Sequence, residues 1–183
     1  LKKGSPTIIG NYRPISLLPV ISKVFERLLN KRLISYFQKY KILSTTQFGF
    51  LPNTSTMDAI FRSTQNILDN LEKSYMVAGI YFDLSKAFDT LNHLVLLEKL
   101  ERYGVRGVAQ NLMKSYLTNR SQIVAVQSSE GYNFSESINL KLGVPQGSIL
   151  GPTLFLIYVN DLHINLQYVY QFADDTSCLA VSK

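Results

Sequence analysis

The stretch QYVYQFADDTSCLAV, residues 167–181, decides how this chain is read. Two apolar segments, QYVYQF and TSCLAV, flank an Ala-Asp-Asp tip and predict a β-hairpin. Asp174 and Asp175 put two like charges side by side between them. A tight turn accounts for an aspartate or two, because the side chain bonds nearby backbone. A metal site accounts for both, because adjacent carboxylates repel unless a cation is present. Neighbouring strand residues point to opposite faces, so one aspartate would face such a cation and the other sit beside it.

Working outward from the hairpin, GVPQGSILGP (143–152) is a Gly/Pro-rich loop, and LFLIYV continues it as an apolar helix with Pro152 near its first turn. Upstream, QIVAVQ alternates as a strand, SSEGYN turns, and FSESINLKL returns as a strand. Helices are expected over about Val108–Leu117 and His93–Tyr103, the latter stopped by Gly104. VAGIYFDL (77–84) predicts a buried strand ending in Asp83. A helix starts near Ser55, where Ser55 and Asp58 resemble a capping box, with apolar positions Met57, Ile60, Phe61, Ile67, Leu68 and Leu71. Between Val20 and Tyr40, the spacing of Ile21, Val24, Phe25, Leu28, Leu29, Leu33, Tyr36 and Phe37 predicts a helix with one buried face. Residues 1–19 read as a basic loop and extended segment. Mixed helices and strands, with the last strands antiparallel, give an α+β class.

Length and composition allow a real core: 183 residues, 46% apolar and 17% charged. The net charge of +6 is compatible with a polyanionic partner without requiring one. One cysteine, Cys178, permits no internal disulfide, and with His93 and His163 it makes no zinc-type cluster. No apolar run reaches the roughly 18 residues of a membrane span, so no membrane partner is expected and an intracellular setting is the default. Leu1 is not an initiator methionine, and the chain reads as a segment of a longer protein.

Three stations carry chemistry. Asp83 leaves an apolar strand. Asp174 and Asp175 stand at the hairpin tip, 91 residues beyond Asp83. VPQGSILGP lets backbone approach a ligand beside a helix start. Acids on two strands suit a hard cation, and Mg²⁺ takes one or two carboxylates plus phosphate oxygens. Two such ions, about 3.5–4 Å apart, serve in-line phosphoryl transfer. The residues alone name neither template nor nucleotide.

Five motifs in series resemble the reverse transcriptase of a non-LTR (LINE-type, jockey-like) retrotransposon. They are NYRPISLLPVISKVFERLLNKRL (11–33), QFGF (47–50) followed by ST-x-DAI, YFDLSKAFDTLNH, GVPQGSILGPTLFLIYVNDL and FADD. The resemblance implies right-hand polymerase fingers and palm, the palm a small antiparallel sheet backed by helices. Residues 1–74 would be mainly fingers and 75–183 mainly palm, with some interchange. The family's thumb and endonuclease regions have no counterpart within these residues. The implied activity is RNA-directed DNA synthesis from an RNA template, a DNA primer (often nicked chromosomal DNA) and dNTP, in nucleus and cytoplasm. Two alternatives stay open: a non-catalytic nucleic-acid-binding derivative, and an RNA-dependent RNA polymerase, against which Phe88 argues.

Residue by residue, Asp83 and Asp174 match the metal-binding aspartates, Asp175 their neighbour, and the Leu84 backbone carbonyl an additional ligand. The metal implied is Mg²⁺, two ions, with Mn²⁺ as a substitute. Phe88 matches the steric gate against a ribose 2′-OH, and Gln146 the glutamine against the incoming nucleotide, between Pro145 and Gly147. Arg13 matches a triphosphate contact, suited to its planar fork; Lys2 or Lys3 falls near a second, in a register that stays open. Plain readings stand beside these: Phe88 as core packing, Asp89 as a turn residue, Lys86 as solvated, both histidines as structural or exposed.

Overall fold

The computed structural model describes residues 4–5, 7–12, 14–84 and 86–183, the side chain of Ile9 apart. After a short 3-10 turn at Ile9–Asn11, the chain runs extended to Pro19 and enters helix α1 (Val20–Lys39). Helix α1 buries the second half of the seam its hydropathy predicts, with Leu29 and Tyr36 packed against the core, but not the first half. Ile21, Val24, Phe25 and Leu28 are exposed, while Glu26, Leu33 and Phe37 are buried. The difference has a physical reason: a carboxylate can be buried where it is hydrogen-bonded, and Glu26 has three donors on other elements.

Helix α2 (Thr56–Glu72) starts where expected, and both halves of the capping box form. The Ser55 N–H donates to Asp58 at 2.7 Å and the Asp58 N–H to the Ser55 hydroxyl at 3.4 Å. Here too the apolar stripe is turned outward: Met57, Ile60, Phe61, Leu68 and Leu71 are exposed. The inward face carries Ala59, Ile67 and two asparagines, with Asn66 Nδ2 donating to Tyr170 and Asn70 buried.

Strand β1 (Met76–Asp83) forms as read but is not buried; Tyr81 is 81% exposed. It lies at the edge of its sheet, and only Val77 joins the core beneath. Helix α3 (His93–Arg102) is capped by Asn92 and followed by Gly104, and α4 (Val108–Leu117) has the expected bounds. The expected strand pair of residues 122–142 is broken into two ladders. Strands β2 (Arg120–Gln122) and β5 (Ile138–Leu140) pair at the base, β3 (Ala125–Ser128) and β4 (Gly131–Phe134) at the tip. At the break, Val124 and Ser135 exchange bonds that use the serine side chain as well as backbone.

Helix α5 (Leu150–Val159) is buried on nearly every side, as its composition requires. It anchors the larger core with Phe37, Leu96, Leu100, Met113 and Leu117 of the surrounding helices. Strands β6 (Val169–Phe172) and β7 (Asp175–Ser182) complete an antiparallel sheet in the order β1-β7-β6. Residues 46–48 add a short parallel edge, with Phe48 N–H donating to Gln171 O and Gln171 N–H to Thr46 O, both at 2.8 Å. A smaller core of Phe48, Tyr170 and Leu179 joins this sheet to α2. Among the described residues no helix is long and apolar enough to cross a membrane.

Candidate active site

The hairpin register sets the acidic station. Phe172 pairs with Asp175, which leaves Ala173 and Asp174 as a two-residue loop. Across β1 and β7, Asp83 pairs with Asp175. Residues opposite each other in an antiparallel pair share a face, with Cβ atoms about 4.5–5.5 Å apart. Asp83 and Asp175 therefore stand together, exposed, and open with Tyr81, Tyr170 and Phe172 into a cleft of about 290 Å³. Asp174 is half-buried in the adjoining turn. The structure thus brings the three acids to one end of one sheet, and the strand partner of Asp83 is Asp175.

Like charges directly opposite one another are destabilising, and a cation relieves that repulsion. The donors are hard carboxylate oxygens, and Leu84, an exposed residue, follows just beyond β1. Among the described residues no group of three or more His, Cys, Asp or Glu side chains is placed to hold a metal ion by itself. A cation here would complete its shell with oxygens from elsewhere, which is the habit of Mg²⁺ beside a phosphate substrate. The donor set fits that ion.

The tip that carries Asp174 is held from outside the hairpin. Ala173 has φ 59°, a left-handed conformation that costs an L-residue about 1–2 kcal/mol. Its N–H donates to Gln47 Oε1 at 3.2 Å, and the same oxygen accepts the Gly49 N–H at 2.7 Å. Gly49 lies so close that a Cβ would sit 2.2 Å from Ala173 N. The QFGF segment is thus a clamp on the acidic turn, a role its motif did not reveal.

The Gly/Pro loop is fixed to the turn after β1. Val144 N–H donates to Phe88 O at 2.8 Å and Gly143 N–H to Leu91 O at 2.7 Å. Gly143, at φ 81°, leaves no room for a side chain, since a Cβ would lie 2.7 Å from Asp89 O. His93 Nε2 meets Gly143 O at 2.7 Å, a structural role for that histidine. Gln146 Nε2 reaches Asp89 Oδ1 at 3.4 Å, and Gln146 O accepts from Ser16 N–H at 2.9 Å. Phe88 is half-buried, its ring 4.9 Å from that of Phe155 and 6.2 Å from that of Phe50. It belongs to the edge of the larger core.

Pro145, Gln146 and Gly147 lie together in this loop, tied to the Phe88–Asp89 turn. Arg13, with Lys2 and Lys3, lies outside the described residues. Lys86 is exposed, and Cys178 is buried. Tyr170 and Phe172 pack in or against the smaller core, and burial pushes the Tyr170 hydroxyl above its ordinary value. Sequence reasoning missed Glu26. Its signal was spacing: Glu26, Leu29, Leu33 and Phe37 recur on one helical stripe, which places a carboxylate on the buried side.

The fold and the site define a class: a mixed helix-and-strand protein with a carboxylate-tipped antiparallel hairpin and a glycine-proline loop at a helix start. Residues 1–183 match the family described as reverse transcriptase (RNA-dependent DNA polymerase), and the chain belongs to it. It is 37% identical over 153 residues to the probable RNA-directed DNA polymerase from transposon X-element of Drosophila melanogaster, covering 84% of this chain and 16% of that protein. It is 34% identical over 188 residues to the RNA-directed DNA polymerase from mobile element jockey of the same species, covering 98% of this chain and 20% of the relative. The chain therefore spans a small part of the length of these relatives. Among solved structures, it resembles an apo telomerase from Candida tropicalis, with a TM-score of 0.57 at 16% identity, over 87% of this chain and 34% of that one. That likeness is one of fold.

Proposed function

We propose that this chain is the fingers and palm portion of an RNA-directed DNA polymerase of a non-LTR retrotransposon, residues 1–74 mainly fingers and 75–183 mainly palm. The observation that carries the reading is the register that sets Asp83 opposite Asp175 with Asp174 in the adjoining turn, in a chain of this family. Asp83 and Asp174 hold the metal, with Asp175 beside them and the Leu84 carbonyl as a further ligand. When bound, two Mg²⁺ ions (or Mn²⁺ in their place) activate the attacking oxygen and neutralise the leaving pyrophosphate.

The chain's own residues orient the reactants. Gln146, between Pro145 and Gly147, lies against the incoming dNTP. Phe88 stands under the sugar and excludes a 2′-OH, and Arg13 holds the triphosphate. The primer 3′-OH gives up its proton to solvent, its oxygen attacks the α-phosphate, a new phosphodiester forms, and the bond to pyrophosphate breaks. The partners are an RNA template, a DNA primer and dNTP, met in nucleus and cytoplasm.

The test is primer extension on an RNA template by the full-length parent protein. Asp174→Ala is expected to lower extension by about 10²–10³-fold, the scale of losing one preorganised electrostatic group. Extension by the variant at the wild-type rate refutes the assignment. No extension by the wild type, with salt-dependent RNA binding retained, favours a non-catalytic nucleic-acid-binding role.

A further inference from the structure

Glu26 is fully buried, and it is the one carboxyl side chain among the buried described residues. Its Oε2 accepts the Ile149 N–H at 2.6 Å and the Leu150 N–H at 3.2 Å. Its Oε1 accepts the Tyr116 hydroxyl at 3.2 Å. Desolvation pushes Tyr116 up to about 12, so the phenol keeps the proton it donates throughout the neutral range. These bonds close the N-terminus of α5, where backbone N–H groups lack partners within the helix and the dipole favours negative charge. Neither Ile149, the residue before the helix, nor any side chain of its own supplies a cap. Ser148 Oγ, just before it, accepts the Gly151 N–H at 3.0 Å, but the Ile149 and Leu150 N–H groups are capped from α1, more than a hundred residues away in sequence.

What Glu26 holds is the end of the nucleotide-pocket loop. Ser148 N–H donates to Pro145 O at 3.1 Å, so Pro145–Ser148 is one turn, and Ile149 is its next residue. The start of that turn is fixed by Val144 N–H on Phe88 O, its middle by Ser16 N–H on Gln146 O, and its end by Glu26. Remove the carboxylate and the loop keeps its anchors at Val144 and Gln146 and the bond from Gly151 N–H to Ser148 Oγ, but the junction of turn and helix loses the two bonds that tie it to α1.

We infer that Glu26 is a positioning residue for nucleotide binding: by capping α5 it sets the placement of Pro145, Gln146 and Gly147 against the incoming dNTP. The inference rests on reading that loop as the nucleotide pocket. Glutamine in its place keeps a carbonyl oxygen for the Ile149 and Leu150 N–H groups, and its amide can donate to Tyr116, whose hydroxyl can turn to accept. Aspartate keeps the charge but is a methylene short, and leucine offers no acceptor.

The experiment measures single-nucleotide incorporation by the full-length parent on a DNA-primed RNA template, with KM for dNTP and kcat separated. Circular-dichroism melting of each variant accompanies it. Glu26→Gln is expected within about threefold of wild type in both constants. Glu26→Asp and Glu26→Leu are expected to raise the dNTP KM at least fivefold, with kcat changed less than KM. The split between KM and kcat, and rescue by glutamine, are what a merely structural role would not produce. Wild-type KM in whichever of the Asp and Leu variants is folded overturns the inference. So does a Gln variant as impaired, or as unfolded, as the Leu variant. Collapse of both the Asp and Leu variants makes Glu26 a determinant of the fold and also overturns it. A wild type that extends no primer defeats the polymerase reading instead, a result recognisable before any variant is compared.

Discussion

Replacing Gly49 with alanine puts a methyl group where the structure has backbone. The added Cβ would lie 2.2 Å from Ala173 N and 2.9 Å from Phe172 C. Neither is the free end of a side chain, so neither can swing away. Relieving the first contact from 2.2 Å to an ordinary 3.4 Å parts the two segments by about 1.2 Å. The bond from Ala173 N–H to Gln47 Oε1, now 3.2 Å, does not survive that movement. Overpacking costs about 1–3 kcal/mol and the lost hydrogen bond about 1 kcal/mol. A destabilisation of about 2–4 kcal/mol follows, which lowers the melting temperature of a domain this size by roughly 4–16 °C. The effect on chemistry is separate and larger in consequence. Ala173 precedes Asp174, so a shift near 1 Å moves a proposed metal ligand, and misplacement on that scale costs about 10²-fold in rate.

The assay is single-nucleotide extension by the full-length parent at a temperature well below the variant's melting point, so that loss of folded protein does not mimic loss of rate. Gly10→Ala is the control, because a Cβ there meets nothing within 4 Å. Gly49→Ala extending within threefold of wild type, while folded, refutes the claim that the QFGF segment sets the geometry of the acidic turn.

Two further outcomes are expected. With Phe88 as the proposed sugar gate, Phe88→Ala should raise incorporation of ribonucleotides relative to deoxyribonucleotides at least tenfold; unchanged sugar selectivity would leave Phe88 as packing against Phe155 and Phe50. Asp58 is held below the ordinary aspartate value chiefly by the Ser55 side chain and then by the Ser55 backbone. A depressed carboxyl stabilises the fold above its ordinary value, about 3.9, and loses that contribution as pH falls through the lower folded value. The melting temperatures of wild type and Asp58→Ala should therefore differ near neutrality and converge in strong acid; a gap that persists unchanged to pH about 2 would sink the capping account.

What the sequence disclosed was local. Ser55 and Asp58 sit three apart and cap α2; Gly104 ends α3; the alternation around Ala173–Asp174 forms the hairpin. Each signal needs only its neighbours. The first half of α1 and the face of α2 were misread because hydropathy assumes that the apolar stripe turns inward. In α2 the inward face is set by Asn66, whose partner, Tyr170, lies 104 residues away. In α1 it is set by Glu26, bonded to α4 and to the start of α5. Strand β1 was expected to be buried because its side chains are apolar, yet its position at the sheet edge leaves most of them exposed. For the acidic station, the sequence gives three acids near two strand ends, but the pairing of Asp83 with Asp175 depends on a register only the sheet defines.

The same long-range bonds explain how a small sheet can hold a site in place. Among the described residues its core cluster buries Phe48, Tyr170 and Leu179, and so small a sheet depends on that apolar face packing against a helix. Apolar contact is non-directional and tolerates sliding that hydrogen bonds do not. The parts that matter are fixed by polar atoms instead. Gln47 binds the Ala173 N–H across 126 residues, Glu26 binds Ile149 across 123, and Asn160 Oδ1 accepts from Ser44 N–H across 116. Every one of these bonds joins the first fifty residues to an element in the last forty. The N-terminal region is therefore more than a cover for the site. It supplies the directional contacts that orient both the acidic turn and the glycine-proline loop, and each contact involves a backbone N–H that would be left unpaired if its partner were made apolar.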